Sequence, residues 1–444
     1  MEIEKLPERW KRVRLGEVIK ETLPGEWGND VPSLNSREVP VISTLAIDYD
    51  GKIDFEKFVI RYILKRKINK LRLRCGDICI EKSGGSTDKP AGKVAYVKKD
   101  WNGTCSNFIQ IIRVDPAQVV NKFLFFRLLH DFKNNLTEKF QQKTTGIINF
   151  KLKEYLRDKL YLPPLPEQRK IAEILETVDN AIEKTDRIIE KHKRIKQGLM
   201  EDLLTRGIDE NGQIRSEETH KFKDSPLGRI PEEWEVVRLG EIAEITSSKR
   251  IYFDEYTEEG IPFYRSKEII EKAQGLNIEK TLFIPENKYR FIEKHFGTPK
   301  TGDILITAVG TLGVIYVIKP SDGKFYFKDG NLLWLKNLTG SLIDIGLLVY
   351  LFQQVFEKQK EILTIGTSQN ALTIEKMKEM QIPLPSLPEQ NRIAKILSQI
   401  DETIEKEQKY KEKLERIKHG LMEDLLTGKV RVNHLIEKGV ENVS

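Results

Sequence analysis

Two stretches of this sequence are nearly the same: LPEQRKIAEILETVD spans residues 165–179, and LPEQNRIAKILSQID spans residues 387–401. Both copies later reach the identical octapeptide GLMEDLLT, at residues 198–205 and 420–427. A repeat of this length is far longer than a solenoid unit and suits a globular domain followed by a long helix. The chain of 444 residues therefore carries one arrangement twice.

Both stretches predict long amphipathic helices, because apolar residues recur three and four positions apart on a charged background from 166 to 205 and from 388 to 427. Pro166 and Pro388 suit a first helical turn, where the missing N–H would have no partner in any case. Each helix would be ~60 Å long. Its own duplicate is the one comparable segment, so an antiparallel intramolecular coiled coil is the economical prediction. The alternative, in which each helix packs only on its own domain, stays open.

Shorter landmarks also repeat in the regions before the two helices. Leu15-Gly16-Glu17 returns as Leu239-Gly240-Glu241, and Gly76-Asp77-Ile78 returns as Gly302-Asp303-Ile304. Between these landmarks the copies diverge almost completely. The pattern indicates two similar scaffolds with two different surfaces, as the recognition of two different targets would require. Drift after duplication is the alternative.

The composition limits the class of protein. Apolar residues make 39% and charged residues 32% of the chain, and no run approaches the roughly 18 apolar residues of a membrane-spanning helix. The first five residues lack a signal-peptide pattern, so a cytoplasmic protein with no membrane partner is expected. A net charge of +6 permits a polyanionic partner. Three cysteines, Cys75, Cys79 and Cys105, predict neither disulfides nor a metal site but small buried residues beside a strand.

The ordered landmarks, ending in LMEDLLTGKV at residues 421–430, resemble the specificity subunits of type I restriction-modification systems. This resemblance implies an α+β fold, in which two mixed α/β target-recognition domains in tandem are separated by the two helices, with a pseudo-twofold axis. It also implies that each domain reads half of a split double-stranded DNA sequence. The helices would set the spacing between the half-sites and dock two methyltransferase subunits, and restriction and translocation subunits would join them.

The segments expected on this basis follow the landmarks. They are target-recognition domain 1 (1–160), the central long helix (166–205), a linker (206–224), target-recognition domain 2 (225–385), the C-terminal long helix (388–427) and a tail (428–444).

The sequence lacks recognisable catalytic motifs. The glycine-rich segment Gly84–Lys93 fails the Walker spacing, and Val94 stands where a magnesium-binding Ser or Thr would be needed. No Asp/Asn-Pro-Pro-Tyr-like tetrapeptide or dinucleotide-binding turn appears. A non-catalytic protein with no catalytic residues and no cofactor of its own is predicted, with S-adenosylmethionine expected in the partner methyltransferase. A stand-alone DNA methyltransferase and a protein-binding coiled-coil scaffold are the alternatives.

Candidate DNA contacts come from basic residues interleaved with apolar ones, and from polar side chains able to reach base edges. The segment 61–74 has no acidic residue and contributes Arg61, Lys65, Arg66, Lys67, Lys70, Arg72 and Arg74. The other candidates are Ser83, Lys93, Thr144, Thr145, Lys249, Arg250, Arg265, Lys267, Gln369 and Asn370. A solvated charged face and ordinary hairpin turns are the alternatives for these segments.

Overall fold

The computed structural model describes residues 7–85, 90–144, 147–340, 342–364 and 371–436. The chain divides into two compact units, unit 1 with residues 1–187 and 409–444, and unit 2 with residues 188–408. Both boundaries fall inside the long helices.

Unit 1 begins with a mixed α/β region. Its strands are β1 (Lys11–Arg14), β2 (Ile19–Pro24), β3 (Ser36–Ile42), β4 (Phe58–Leu64), β5 (Ile78–Glu81), β6 (Ser83–Gly85), β7 (Val94–Tyr96), β8 (Thr104–Cys105), β9 (Ile109–Val114), β10 (Gln141–Thr144), β11 (Ile147–Phe150) and β12 (Lys159–Leu162). Its helices are α1 (Lys65–Leu71), α2 (Asn121–Lys133), α3 (Leu152–Tyr155) and the first part of α4 (Leu165–Thr205).

Unit 2 repeats this plan. Its strands are β13 (Phe222–Ser225), β14 (Gly228–Pro231), β15 (Glu235–Arg238), β16 (Glu244–Thr246), β17 (Ile261–Tyr264), β18 (Leu282–Ile284), β19 (Ile304–Thr307), β20 (Ile315–Val317), β21 (Tyr326–Phe327), β22 (Leu332–Lys336) and β23 (Gln381–Leu384). Its helices are α5 (Leu239–Ile242), α6 (Ser266–Ala273), α7 (Glu286–Phe296), α8 (Ile345–Thr364), α9 (Ile374–Glu379) and the first part of α10 (Leu387–Leu426).

Three sheets have the same strand order in the two units, while unit 1 also contains the sheet β10-β11-β6 and unit 2 also contains the pair β13-β14. Unit 1 has a four-stranded sheet β2-β9-β5-β7, a three-stranded sheet β4-β3-β8 and a pair β1-β12. Unit 2 has β16-β22-β19-β20, β18-β17-β21 and β15-β23 in the corresponding places. Strands β5 and β19 are central in their sheets and are buried along their whole length. The duplication inferred from the sequence is therefore confirmed at the level of topology.

The repeated Gly-Asp-Ile landmark is a tight turn before these central strands. Gly76 and Gly302 have positive φ angles of 92° and 89°, which favour glycine. The Asp77 carboxylate accepts a hydrogen bond from the Arg74 backbone N–H, 2.9 Å away, and Asp303 accepts one of 2.9 Å from the backbone N–H of Lys300. The landmark thus recurs because the same turn recurs.

The two long helices were predicted within one residue at each end. In unit 1 the Lys418 Nζ lies 2.5 Å from Asp179, and the Lys411 Nζ lies 2.7 Å from Asp186. Because the residue number falls from 418 to 411 in α10 as it rises from 179 to 186 in α4, the paired segments of the two helices run antiparallel, as expected. In unit 2 the Lys196 Nζ lies 2.6 Å from Asp401.

Each unit buries part of both long helices. The core of unit 1 includes Ile171 and Leu175 of α4 together with Leu425 of α10. The core of unit 2 includes Leu203 of α4 together with Leu397 of α10. The alternative in which each helix packs only on the domain before it is therefore wrong. None of the helices in the described part of the chain is long and apolar enough to cross a membrane.

Two of the apolar residues whose three- and four-residue spacing predicted the long helices are exposed. Ile195 and Ile417 have 38% and 42% of their surfaces accessible. The neighbouring positions are taken by the half-buried Lys196 and the buried Lys418, whose amines reach the aspartates of the facing helix. The prediction that these two isoleucines face the other long helix was wrong. Hydropathy alone does not show that a neighbouring lysine pairs with an aspartate of that helix instead.

The cysteine prediction holds for two residues of three. Cys79 on β5 and Cys105 on β8 are buried, whereas Cys75 is exposed and its thiol lies 3.3 Å from the Lys98 carbonyl oxygen.

Candidate nucleic-acid interface and helix junctions

A buried carboxylate fixes the beginning of α10 in unit 2. Glu389 is 3% exposed and accepts hydrogen bonds from both terminal nitrogens of Arg215, at 2.5 and 3.2 Å. The indole N–H of Trp234 donates to the same carboxylate at 3.2 Å, and the backbone N–H of Ile208 donates at 2.9 Å. Such a bidentate pair satisfies a charge that burial would otherwise penalise strongly.

Unit 1 builds the same junction at the beginning of α4. Glu167 is 1% exposed and accepts from Arg431, through Nε at 2.7 Å and a terminal nitrogen at 2.9 Å. The Trp10 indole N–H donates to it at 3.2 Å. The two junctions therefore use the same three residue types, a tryptophan, a glutamate and an arginine.

The glutamine of the Leu-Pro-Glu-Gln motif joins each helix to its domain. The Gln168 side chain accepts from the Val120 backbone N–H at 2.8 Å and donates to the Pro163 carbonyl at 2.9 Å. Gln390 accepts from the Asp344 backbone N–H at 2.8 Å and donates to the Pro385 carbonyl at 2.8 Å. The motif is thus a helix start locked to the loop before α2 or α8.

Sequence reasoning missed the arginines of both junctions. Arg215 lies in the segment expected to be a linker, and Arg431 lies in the segment expected to be a tail. Both follow a copy of GLMEDLLT, but Arg206 also follows the first copy directly, so position after the octapeptide alone would not have identified them.

The basic segment 61–74 comprises the end of β4, helix α1 and the turn that follows. Its apolar residues Ile63, Ile68, Leu71 and Leu73 are buried. Lys65 and Arg66 are exposed. The predicted arrangement, with one packed face and one exposed basic face, is confirmed, and the DNA contact itself stays a prediction.

Several of these basic side chains have acidic neighbours. Lys67 lies 2.7 Å from Glu26, and Lys70 lies 3.0 Å from Glu21, whose pKa is lowered chiefly by that hydrogen bond. Exposed pairs of this kind contribute little to stability, so a phosphate can replace the carboxylate at small cost.

Three of the four arginines of the segment, Arg61, Arg72 and Arg74, also have partners. Arg61 pairs with Asp30, and its guanidinium lies 4.4 Å from the centre of the Trp27 ring. Arg72 donates to the Trp101 carbonyl at 3.3 Å, and Arg74 donates to the Asn69 carbonyl at 3.4 Å. These contacts orient the exposed guanidinium groups of Arg72 and Arg74, whereas the Arg61 side chain is only 16% exposed.

Lys93 is differently placed. Its side chain is 12% exposed, its amine donates to the carbonyl oxygens of Thr44 and Ile47 at 2.9 and 3.0 Å, and it lies 3.7 Å from Glu81. Burial raises the pKa of the Glu81 carboxyl, and the nearby lysine opposes that shift. A DNA contact by Lys93 would require these bonds to break.

The remaining candidates lie at separate places. Ser83 begins β6 and Thr144 ends β10, and both strands pair with β11. Arg250 lies 2.8 Å from Asp329, while Arg265 binds Glu268 at 2.5 Å and leaves 42% of its side chain exposed. Lys249 and Lys267 are exposed. Thr145, Gln369 and Asn370 lie outside the described residues.

The family comparison agrees with this duplicated architecture. The model of the type I restriction modification DNA specificity domain matches residues 7–191 and again residues 231–416. The match covers most of the chain and falls in two copies. The chain therefore belongs to the type I restriction-modification DNA specificity family.

Two similar proteins come from Methanocaldococcus jannaschii. The type I restriction enzyme MjaVIII specificity subunit is 31% identical, over 97% of this chain and 95% of its own length. The putative type I restriction enzyme MjaX specificity subunit is 30% identical, over 97% and 96%.

Two solved structures share the fold. The type I restriction-modification S subunit from M. genitalium is 18% identical, with a TM-score of 0.58 over 96% of this chain and 97% of that one. A chain from a study of complex assembly in the type I R-M system is 22% identical, with a TM-score of 0.55 over 96% of this chain and 100% of that one.

Proposed function

We propose that this chain is the DNA-reading subunit of a type I restriction-modification complex, in which unit 1 and unit 2 each recognise one half of a bipartite DNA sequence. The observation that carries the proposal is the common strand order of the two units combined with their different surfaces. Hydrogen bonds to base edges depend on surface side chains, so two surfaces on one scaffold suit two different half-sites.

The chain recognises DNA and leaves the chemistry to its partners. Two methyltransferase subunits carrying S-adenosylmethionine modify adenine, and restriction and translocation subunits join them for cleavage. This division follows the names of the related specificity subunits and the lack of a catalytic motif in the sequence. Since double-stranded DNA is the target, we expect the complex to act in the cytoplasm.

The outer faces of the long helices are the proposed docking surface for the methyltransferase subunits. In unit 1, Tyr410 and Ile417 of α10 are 52% and 42% exposed, and in unit 2 Ile195 of α4 is 38% exposed. Exposed apolar side chains outside a paired seam are typical of protein contacts.

The test is the motif of methylated adenines in a bacterial host that produces the chain together with its methyltransferase partner. We expect a split motif with two specific halves and an unspecified spacer, and no methylation when either component is omitted. A continuous motif would contradict the proposal, as would methyl transfer to DNA by the purified chain without its partner.

A further inference from the structure

One face of α7 in unit 2 carries aromatic side chains that are exposed. Phe291 and Phe296 are 53% and 45% accessible, and His295 is also exposed. The ring centres of Phe291 and His295 lie 4.3 Å apart, and each lies 6.3 Å from that of Phe296. Adjacent exposed rings of this kind mark a contact surface more often than isolated ones do.

The opposite face of α7 is firmly held. Tyr289 and Ile292 are buried in a cluster with Ile251 and Ile284. Gly297 ends the helix with a φ of 79°, a positive value that favours glycine. The exposed rings therefore project from a fixed support.

The two units carry different surface residues at the place that α7 occupies in unit 2. Helix α7 lies in the chain between β18 and β19, and helix α1 lies between β4 and β5, the corresponding strands of unit 1. In unit 1 this element presents Lys65 and Arg66, and in unit 2 it presents the rings of Phe291 and His295 beside exposed charged residues, which are Arg290, Glu293 and Lys294. A common scaffold has thus been given different surface chemistry at one and the same place.

The hydrogen bonding of His295 defines what it can recognise. Its Nδ1 lies 2.8 Å from the carbonyl oxygen of Phe291, and because a carbonyl only accepts, Nδ1 must carry the proton. In the neutral ring Nε2 is then an acceptor. Among base edges in the major groove, adenine N6 and cytosine N4 offer N–H donors, and the thymine methyl group offers an apolar contact for a phenylalanine ring.

A cation accompanies the rings. The Lys249 Nζ lies 4.7 Å from the centre of the Phe296 ring. An ammonium group beside the aromatic face matches a duplex, whose bases are flanked by phosphates, better than it matches an apolar protein partner.

We propose that α7 is the base-reading helix of unit 2: it enters the major groove, where His295 Nε2 accepts a hydrogen bond from an adenine or cytosine amino group. Phe291 and Phe296 pack against base edges such as a thymine methyl group, and Lys249 contacts an adjacent phosphate. This inference rests on the proposed function and assigns it to particular residues.

The experiment compares His295→Ala, His295→Gln and Leu276→Ala in the complex assembled with its methyltransferase partner. Leu276 is an apolar residue of the same unit that is 56% accessible, close to the 53% of Phe291, and it serves as the control. The half-site read by unit 2 is identified beforehand as the one that changes when residues 225–385 are exchanged. The readouts are the methylated motif and the affinity for DNA duplexes that differ at single base pairs in this half-site.

We expect His295→Ala to relax the motif at one adenine or cytosine position of that half-site and to reduce discrimination there roughly tenfold to hundredfold. His295→Gln keeps an acceptor and should lose less, whereas Leu276→Ala should change nothing. An unaltered motif with unaltered discrimination in His295→Ala would overturn the inference, as would a change confined to the other half-site. A wild-type complex without any sequence-specific methylation would instead contradict the proposed function.

Discussion

The junctions of unit 1 and unit 2 use the same three residue types, whereas helices α1 and α7, at corresponding places in the two units, expose different chemistry. Glu167 and Glu389 both bind a tryptophan and an arginine from distant parts of the chain. A junction must hold a long helix in one orientation, and one buried hydrogen-bond network achieves this in both units. A reading surface must match a particular DNA sequence, so it has no reason to be the same twice.

The largest expected effect tests the likeness of the junctions. Glu389→Ala removes the buried carboxylate of the Arg215 guanidinium and leaves it the largely exposed Glu233 carboxylate, 3.4 Å away, so it should cost about 3 kcal/mol in the free energy of unfolding. Glu167→Ala should cost less, because the Arg431 side chain is 22% exposed and that of Arg215 is 9% exposed. The measurement is denaturant unfolding followed by tryptophan fluorescence. Losses under about 1 kcal/mol in both variants would show that the junctions are not the anchors described. Large but equal losses would contradict the difference expected from the burial of the two arginines.

A smaller effect tests whether the stability of the two units depends differently on acidic pH. In unit 1, hydrogen bonds from Lys429 and then His130 lower the pKa of Glu423 from 4.5 to about 2. A lowered pKa in the folded state contributes stability above pH 4.5, and this stability is lost as the pH falls from about 4.5 towards 2.

The matched variants are Glu423→Gln in unit 1 and Glu201→Gln at the corresponding position of unit 2, where the glutamate is exposed. At neutral pH, Glu423→Gln should lower the melting temperature, and the difference from wild type should shrink below pH 4.5. Glu201→Gln should leave the dependence of the melting temperature on pH unchanged. If the melting temperatures of wild type and Glu423→Gln fell in parallel with pH, the lowered pKa of Glu423 would be contradicted.

The smallest effect concerns a single hydroxyl. The Tyr155 hydroxyl is buried and has no hydrogen-bond partner among the residues that the structure describes, and burial raises its pKa. The corresponding residue of unit 2 is the buried Met377. Tyr155→Phe should leave the free energy of unfolding unchanged or raise it by up to about 1 kcal/mol. Tyr350→Phe is the control and should destabilise, because the Tyr350 hydroxyl donates to Asp401 at 2.7 Å. A clear loss in Tyr155→Phe would indicate that the hydroxyl is satisfied in solution.

These effects mark what the sequence could and could not predict. The long helices and the duplication follow from local periodicity and self-similarity, and both were predicted. The junctions join residues such as Trp10 and Arg431 that lie at opposite ends of the chain, so no local pattern indicates them. The basic face of α1 was predicted from its spacing. The face of α7 was not, because Phe291 and Phe296 look like core residues until the structure shows them exposed.

The most direct test of the account is the exchange of residues 1–160 for the corresponding region of a relative, with tryptophan kept at the position of Trp10 so that the junction with Glu167 and Arg431 can form. The measurement is the methylated motif of the hybrid complex. One half of the motif should change and the other half should stay as in the wild type. A simultaneous change in both halves would contradict the central claim that the two units read DNA independently.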